Sequence, residues 1–157
     1  MMDAIDYNLI LELQKDSRRS NRQLARLLGV SEATVRRRIK ELVDSHTVTL
    51  TAVPDPHMLG FTMWGFMGLQ VELSQIDSVA EQVAGYPEVT YVGICSGSYQ
   101  VLIGVMFQSP ERLSQFITNE LARIPGMIRT DTLLSLKAVK RTLGWLQPDA
   151  SSLVKPI

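Results

Sequence analysis

The stretch SNRQLARLLGVSEATVRRRIKEL, residues 20–42, restricts the possible folds more than any other part of the chain. Leu24, Leu27 and Leu28 recur at helical spacing behind Ser20, whose hydroxyl suits a helix start, and Gly29 follows as a stop signal. Ser31 can then cap a longer helix in which Val35, Ile39, Leu42 and Val43 fall at i, i+4, i+7 and i+8. Upstream, Ile5, Leu9, Ile10 and Leu13 follow Asp3 and Asp6 and predict a first helix. A helix followed by two more joined through a tight "GV" connection is the helix-turn-helix arrangement. Turning each residue of the third helix by about 100° puts Val35, Ile39, Leu42 and Val43 on a side that must pack inward. Ala33, Arg37, Lys40 and Glu41 lie opposite, with Thr34, Arg36 and Arg38 flanking the apolar stripe.

The net charge of zero hides an uneven distribution. Lys15, Arg18, Arg19, Arg22, Arg26, Arg36, Arg37, Arg38 and Lys40 face only Asp16 and Glu32 between residues 15 and 40, whereas residues 51–157 hold seven basic and nine acidic side chains. Such asymmetry points to a basic head joined to a neutral body. Small residues at the start of the third helix (Ser31, Ala33, Thr34) would let its backbone approach a duplex closely.

Other function classes find little support. The apolar run from Met58 to Val71 is interrupted by Gly60, Gly65, Gly68, Thr62 and Gln70, well short of the roughly 20 residues a membrane span needs. No secretory signal opens the chain, and a cytoplasmic protein is expected. Cys95, the only cysteine, lies in the run VTYVGIC and reads as a small buried hydrophobe. With His46 and His57 the only histidines, no metal cluster is expected, no cofactor is implied, and neither Cys95 nor Ser96 or Ser98 has a base nearby that would make it a nucleophile.

After the third helix, TVTLTAV alternates threonines with apolar residues, the period of two of a strand with one wet face, and PDP at 54–56 ends it. Two weakly similar units follow, VAEQVAGYPEVTYVGICSG and FITNELARIPGMIRTDTLLSL, each an amphipathic helix end, a proline turn and a strand. Strands at about 62–73 and 100–107 before those helices complete the order β-α-β-β-α-β, the ferredoxin-like form. The expected organisation is α+β: a winged helix-turn-helix over residues 1–52, a linker over 53–61, a ferredoxin-like domain over 62–142 and a tail over 143–157. One face of that sheet is left uncovered and needs a partner.

DAIDYNLILELQKDSRRSNRQLARLLGVSEATVRRRIKEL and PGMIRTDTLLSLK together resemble the Lrp/AsnC family of transcription regulators over about residues 3–142. The resemblance implies binding of double-stranded DNA, a homodimer assembling through the C-terminal sheets into octamers or other even assemblies, and control by a small effector, usually an amino acid, held between dimers. The candidate DNA-binding residues are Arg18, Ser20, Arg22, Ser31, Glu32, Thr34, Arg36, Arg37, Arg38 and Lys40. Of these, Arg18, Arg22, Arg36, Arg38 and Lys40 suit phosphates, and Ser31, Glu32, Thr34 and Arg37 can reach base edges. For the effector, the resemblance points to the turn Gly97, Ser98, Tyr99 and Gln100, with Thr130, Thr132 and Ser135 as further candidates. The bland readings are a plain hairpin connection and the wet face of a strand.

Two departures from the family pattern stand out. His46 occupies the position after the third helix where the family usually has glycine, and Gln100 replaces the usual acidic residue. An enzyme reading survives by analogy alone, since sirohaem decarboxylases share this two-domain architecture; a tetrapyrrole pocket would require placed histidines or arginines and has no need of a basic recognition helix.

Overall fold

Asp3 starts the regular structure. Its carboxylate accepts from the backbone N–H groups of Ile5 and Asp6, both at 2.9 Å, and the Asp6 carboxylate accepts from the Asp3 N–H at 3.1 Å. This reciprocal cap opens α1 (Ala4–Lys15) in the computed structural model, which describes residues 2–140. Ser20 and Gln23 make a second such cap at the head of α2 (Asn21–Leu28), which Gly29 ends at φ 66°. Ser31 accepts from the Thr34 N–H at 3.1 Å and opens α3 (Glu32–Asp44). Leu9, Leu13, Leu24, Ala25, Val35 and Leu42 form the core of this unit, with Ile39 partly buried against it. Val43, expected to face inward, is 37% exposed because the stripe ends with the helix.

His46 stands at φ 57°. Its N–H donates to the Val43 carbonyl and the Thr47 N–H to the Leu42 carbonyl, both at 3.0 Å. These two bonds make the helix ending in which glycine is the usual left-handed residue, so histidine adopts the conformation that glycine would have eased.

The expected strand over 47–53 does not form among the described residues. Thr47 bends, and Val48 to Val53 pair with no neighbouring strand. Alternation specifies a wet and a dry face but cannot supply the second strand that a ladder requires. Contacts divide the chain after Ala52, and the unit over Val53–Val139 holds the sheet. The last residues of the expected 62–142 domain and the 143–157 tail lie outside the described residues.

The order in that unit is β1 (Met63–Val71), α4 (Ile76–Ala84), β2 (Val89–Ile94), β3 (Val101–Phe107), α5 (Pro110–Gln115) and β4 (Met127–Leu134). The strands lie as β2-β3-β1-β4, every neighbouring pair antiparallel, which is the ferredoxin-like arrangement. A π turn over Phe116–Glu120 continues α5. Met67, Leu69, Val101, Ile103, Val105 and Phe107 project from β1 and β3 against Val79, Val83, Phe116 and Leu121 beneath the helices. The other face carries Phe66, Tyr91 and Leu133, which are 40%, 53% and 61% exposed. Cys95 is exposed, contrary to the reading of its apolar surroundings. β2 is an edge strand whose last ladder pair is Ile94 with Val101, so Cys95 falls beyond the sheet.

Candidate functional site

The basic head presents its cations in distinct states. Arg22, Arg26, Arg36 and Arg37 are exposed on α2 and α3, and Arg18, in the loop before α2, is 92% exposed and loosely paired with Asp16 at 3.5 Å. Arg37 bonds Glu41 at 2.7 Å and Lys40 bonds Asp44, both exposed i, i+4 pairs. Such exposed pairs hold only weakly, so a phosphate or a base edge can displace them. Arg22, Arg26 and Arg36 have no ion-pair partner among the described residues. Arg26 counts in the basic cluster of the sequence but not among the candidate DNA contacts; its place one turn after Arg22 on α2 is the signal that could have added it.

Ser20, Ser31 and Thr34 are committed to helix starts. The Ser31 and Thr34 hydroxyls also bond each other at 2.9 Å, and Glu32 is exposed as the first residue of α3. Arg38 differs from the other arginines. Its side chain is only 22% exposed, and its guanidinium meets Asp3 at 2.7 Å and Asp6 at 3.1 Å. The structure therefore places Arg38 in an internal ion cluster, not on the outer face with Arg37. A cap hydrogen bond from the Asp6 N–H, reinforced by the Arg38 charge, holds the Asp3 carboxyl below its ordinary pKa.

In the second unit, the turn between β2 and β3 is wired to its neighbours. Gly97 stands at φ 120°. The Gln100 amide spends both its functions inside the fold: its Oε1 accepts from the Val71 N–H at 3.1 Å, and its Nε2 donates to the Gly97 carbonyl at 3.3 Å. Gln70 donates to the Ser98 carbonyl at 3.0 Å. The Tyr99 ring lies flat on Gly68, where an added Cβ would come within 2.6 Å of it, and its hydroxyl donates to Asp131 at 2.6 Å. Arg129 also donates to Asp131, at 2.9 Å. The Tyr99 hydroxyl first, then Arg129, lowers the Asp131 pKa, and the bond to Asp131 raises that of Tyr99.

Gly97, Ser98, Tyr99 and Gln100 thus share one turn, but the β4 candidates do not join them. Thr130 pairs with Leu69 and Thr132 with Met67, both fully buried on the helix-covered face. Side chains opposite one another across a ladder share a face, so these two hydroxyls point away from Tyr99 and Asp131. The Thr130 Oγ1 is buried without a hydrogen-bond partner among the described residues. Ser135 follows β4, its N–H donating to the Trp64 carbonyl at 2.9 Å. Asp131 and Gln70 went unnoticed in the sequence because only strand pairing brings them to this turn, β1 with β3 for Gln70 and β1 with β4 for Asp131. Among the described residues no group of histidine, cysteine and carboxylate side chains is arranged to hold a metal, and no helix is long and apolar enough to cross a membrane.

Both units have counterparts among known proteins. Residues 2–43 match the AsnC-type helix-turn-helix domain and residues 65–145 the Lrp/AsnC ligand binding domain. The HTH-type transcriptional regulator FL11 of Pyrococcus horikoshii is 32% identical over 90% of this chain and 93% of its own length. The HTH-type transcriptional regulator Ptr1 of Methanocaldococcus jannaschii is 26% identical over 89% of this chain and 95% of its own. Among solved structures, AsnC of E. coli superposes with a TM-score of 0.84 at 25% identity, covering 91% of this chain and 98% of that one. The transcriptional regulator NMB0573 of Neisseria meningitidis, solved as its L-Met complex, gives 0.85 at 22% identity, covering 94% and 97%.

Proposed function

The chain belongs to the Lrp/AsnC family of transcriptional regulators, and from that premise we propose that it reads operator DNA with α3 and adjusts its assembly on binding a neutral amino acid at the Gly97 turn. The observation that carries the first half is the outer face of α3. It offers Arg36 and Arg37 beside a small-residue start, flanked by the unpaired Arg22 and Arg26 of α2. Arg18, Arg22, Arg26, Arg36 and Lys40 supply phosphate contacts, while Ser31, Glu32, Thr34 and Arg37 meet base edges. A homodimer that covers the open sheet face, with Phe66, Tyr91 and Leu133, would pair two such helices for a partly palindromic site.

The effector half rests on the wiring of the turn. Gln100 brings no negative charge and its amide is already engaged, and the Asp131 carboxylate beside the turn is already held by Tyr99 and Arg129, so a second cation on the ligand would find no free partner at either. Neutral amino acids, larger apolar ones included, are favoured over lysine and arginine; the L-Met complex of the Neisseria neighbour supports that class. A ligand touching two dimers shifts their assembly only by binding one arrangement more tightly, and a hundredfold preference is worth about 2.7 kcal/mol.

Footprinting on the upstream region of its own gene across a salt series tests the DNA reading: affinity that does not change with salt would refute the phosphate contacts. Thermal shift with each of the twenty amino acids, followed by sedimentation, tests the effector. Gly97→Val should abolish a genuine hit through backbone strain alone, since nothing lies within 4 Å of an added Cβ there. If no amino acid shifts stability, the turn is a plain hairpin.

A further inference from the structure

Arg38 sits one residue from Arg37 yet faces inward, and the groups it meets explain why. Asp6 is 5% exposed, on the first turn of α1. A carboxylate buried to that degree requires charged or hydrogen-bonding partners; the Asp3 N–H donates to its Oδ2 at 3.1 Å, and the Arg38 Nη1 donates to Oδ1 at 3.2 Å and to Oδ2 at 3.1 Å. Asp3 caps α1 and bonds Arg38 at 2.7 Å with the same carboxyl group. One planar guanidinium therefore joins the start of α1 to the middle of α3, beside a core whose apolar contacts are non-directional.

We propose that Arg38 is a positioning residue for operator reading: it contacts no phosphate, and by locking α3 to the Asp3–Asp6 cap it fixes the angle at which Arg37, Ser31 and Thr34 meet the bases. The inference rests on the DNA-binding reading above. Base contacts depend on side-chain placement, whereas phosphate attraction is long-ranged and tolerant of small rotations. Loss of the lock should therefore weaken specific binding and leave non-specific binding intact.

The test uses the full chain and two duplexes: one selected from random sequence by the wild-type protein, and a shuffled duplex of the same length. Arg38→Gln, Arg38→Lys, Asp6→Asn and the phosphate benchmark Arg22→Ala are compared well below each variant's unfolding temperature. Arg38→Gln and Asp6→Asn are both expected to lose about tenfold or more on the selected duplex, the size of one lost base-pair match, and less than about twofold on the shuffled one, with an unchanged salt slope. Arg22→Ala should lose affinity on both and lower the slope by about 0.9. Arg38→Lys should restore little, because an ammonium cannot bridge two carboxylates as a guanidinium does, although it serves a phosphate well.

A parallel loss on both duplexes with a reduced slope, or full rescue by lysine, would make Arg38 a phosphate contact and overturn the proposal. A lowered unfolding temperature with both affinities unchanged would reduce it to a stabilising ion pair, which overturns it equally. Failure of the wild type itself to bind any duplex would defeat the DNA reading and is distinguished by that control.

Discussion

Replacing His46 with glycine should stabilise the helical unit, a gain not predicted by any side-chain contact. His46 stands at φ 57° in the ending of α3, where its N–H and that of Thr47 satisfy the Val43 and Leu42 carbonyls. A residue with a Cβ pays about 1–2 kcal/mol for the left-handed region. Glycine avoids that cost but gives back about 0.5–1 kcal/mol through its greater freedom when unfolded. The central values leave a net gain of about 0.75 kcal/mol, or a rise of a few degrees in the midpoint for a unit of this size. His46→Ala is the necessary comparison, because alanine keeps the Cβ and removes everything else. Urea denaturation of all three proteins, followed by far-ultraviolet circular dichroism, should place His46→Ala within about 0.5 kcal/mol of wild type and His46→Gly above both. Equal stability of the alanine and glycine variants would mean that His46 is not held left-handed in solution and that α3 ends elsewhere.

Two further outcomes follow from the sheet. Gly68→Ala should cost about 1–3 kcal/mol in thermal unfolding, because the new Cβ meets the Tyr99 ring at its root and must push it off the sheet; a neutral substitution would show that the ring does not rest there. The Tyr99–Asp131 bond should stabilise the unit over a bounded pH range. The Asp131 pKa is lowered, so its contribution is complete above the ordinary value of 3.8 and lost as pH falls below it. The Tyr99 pKa is raised, so its contribution is complete below 10.0 and lost as pH rises beyond. The midpoint difference between wild type and Tyr99→Phe should thus be flat at neutral pH and shrink toward both extremes, and a difference independent of pH would exclude this bond.

Local signals in the sequence located what local chemistry decides. Asp3, Ser20 and Ser31 cap helices, and Gly29 stops one, because capping involves residues only a few positions apart. The element order of the second unit was equally legible from alternation and proline turns. What depends on distant pairing was not. Thr130 and Thr132 looked like a wet face, but the register with Leu69 and Met67 turns them inward. Arg38 looked like one more cation on a basic helix, and only the approach of α1 shows that Asp3 and Asp6 claim it. Cys95 read as buried because its neighbours are apolar, although an edge strand that ends at Ile94 leaves it in solvent.

The pairing pattern on the helices also divides the timing of an encounter with DNA. Attraction at a distance depends on charge that is not already neutralised, and it fades over about 10 Å at ordinary salt. From outside, Arg37–Glu41 and Lys40–Asp44 look like near-neutral dipoles, so on the proposed reading the field that draws in a polyanion would come chiefly from Arg22, Arg26 and Arg36. After contact the exposed pairs can open, because each holds only weakly, and on the proposed reading Arg37 would become available to a base. On the proposed reading, arrival would belong chiefly to α2 and residence to α3: charge changes on the first should alter how often the protein lands, and changes on the second how long it stays.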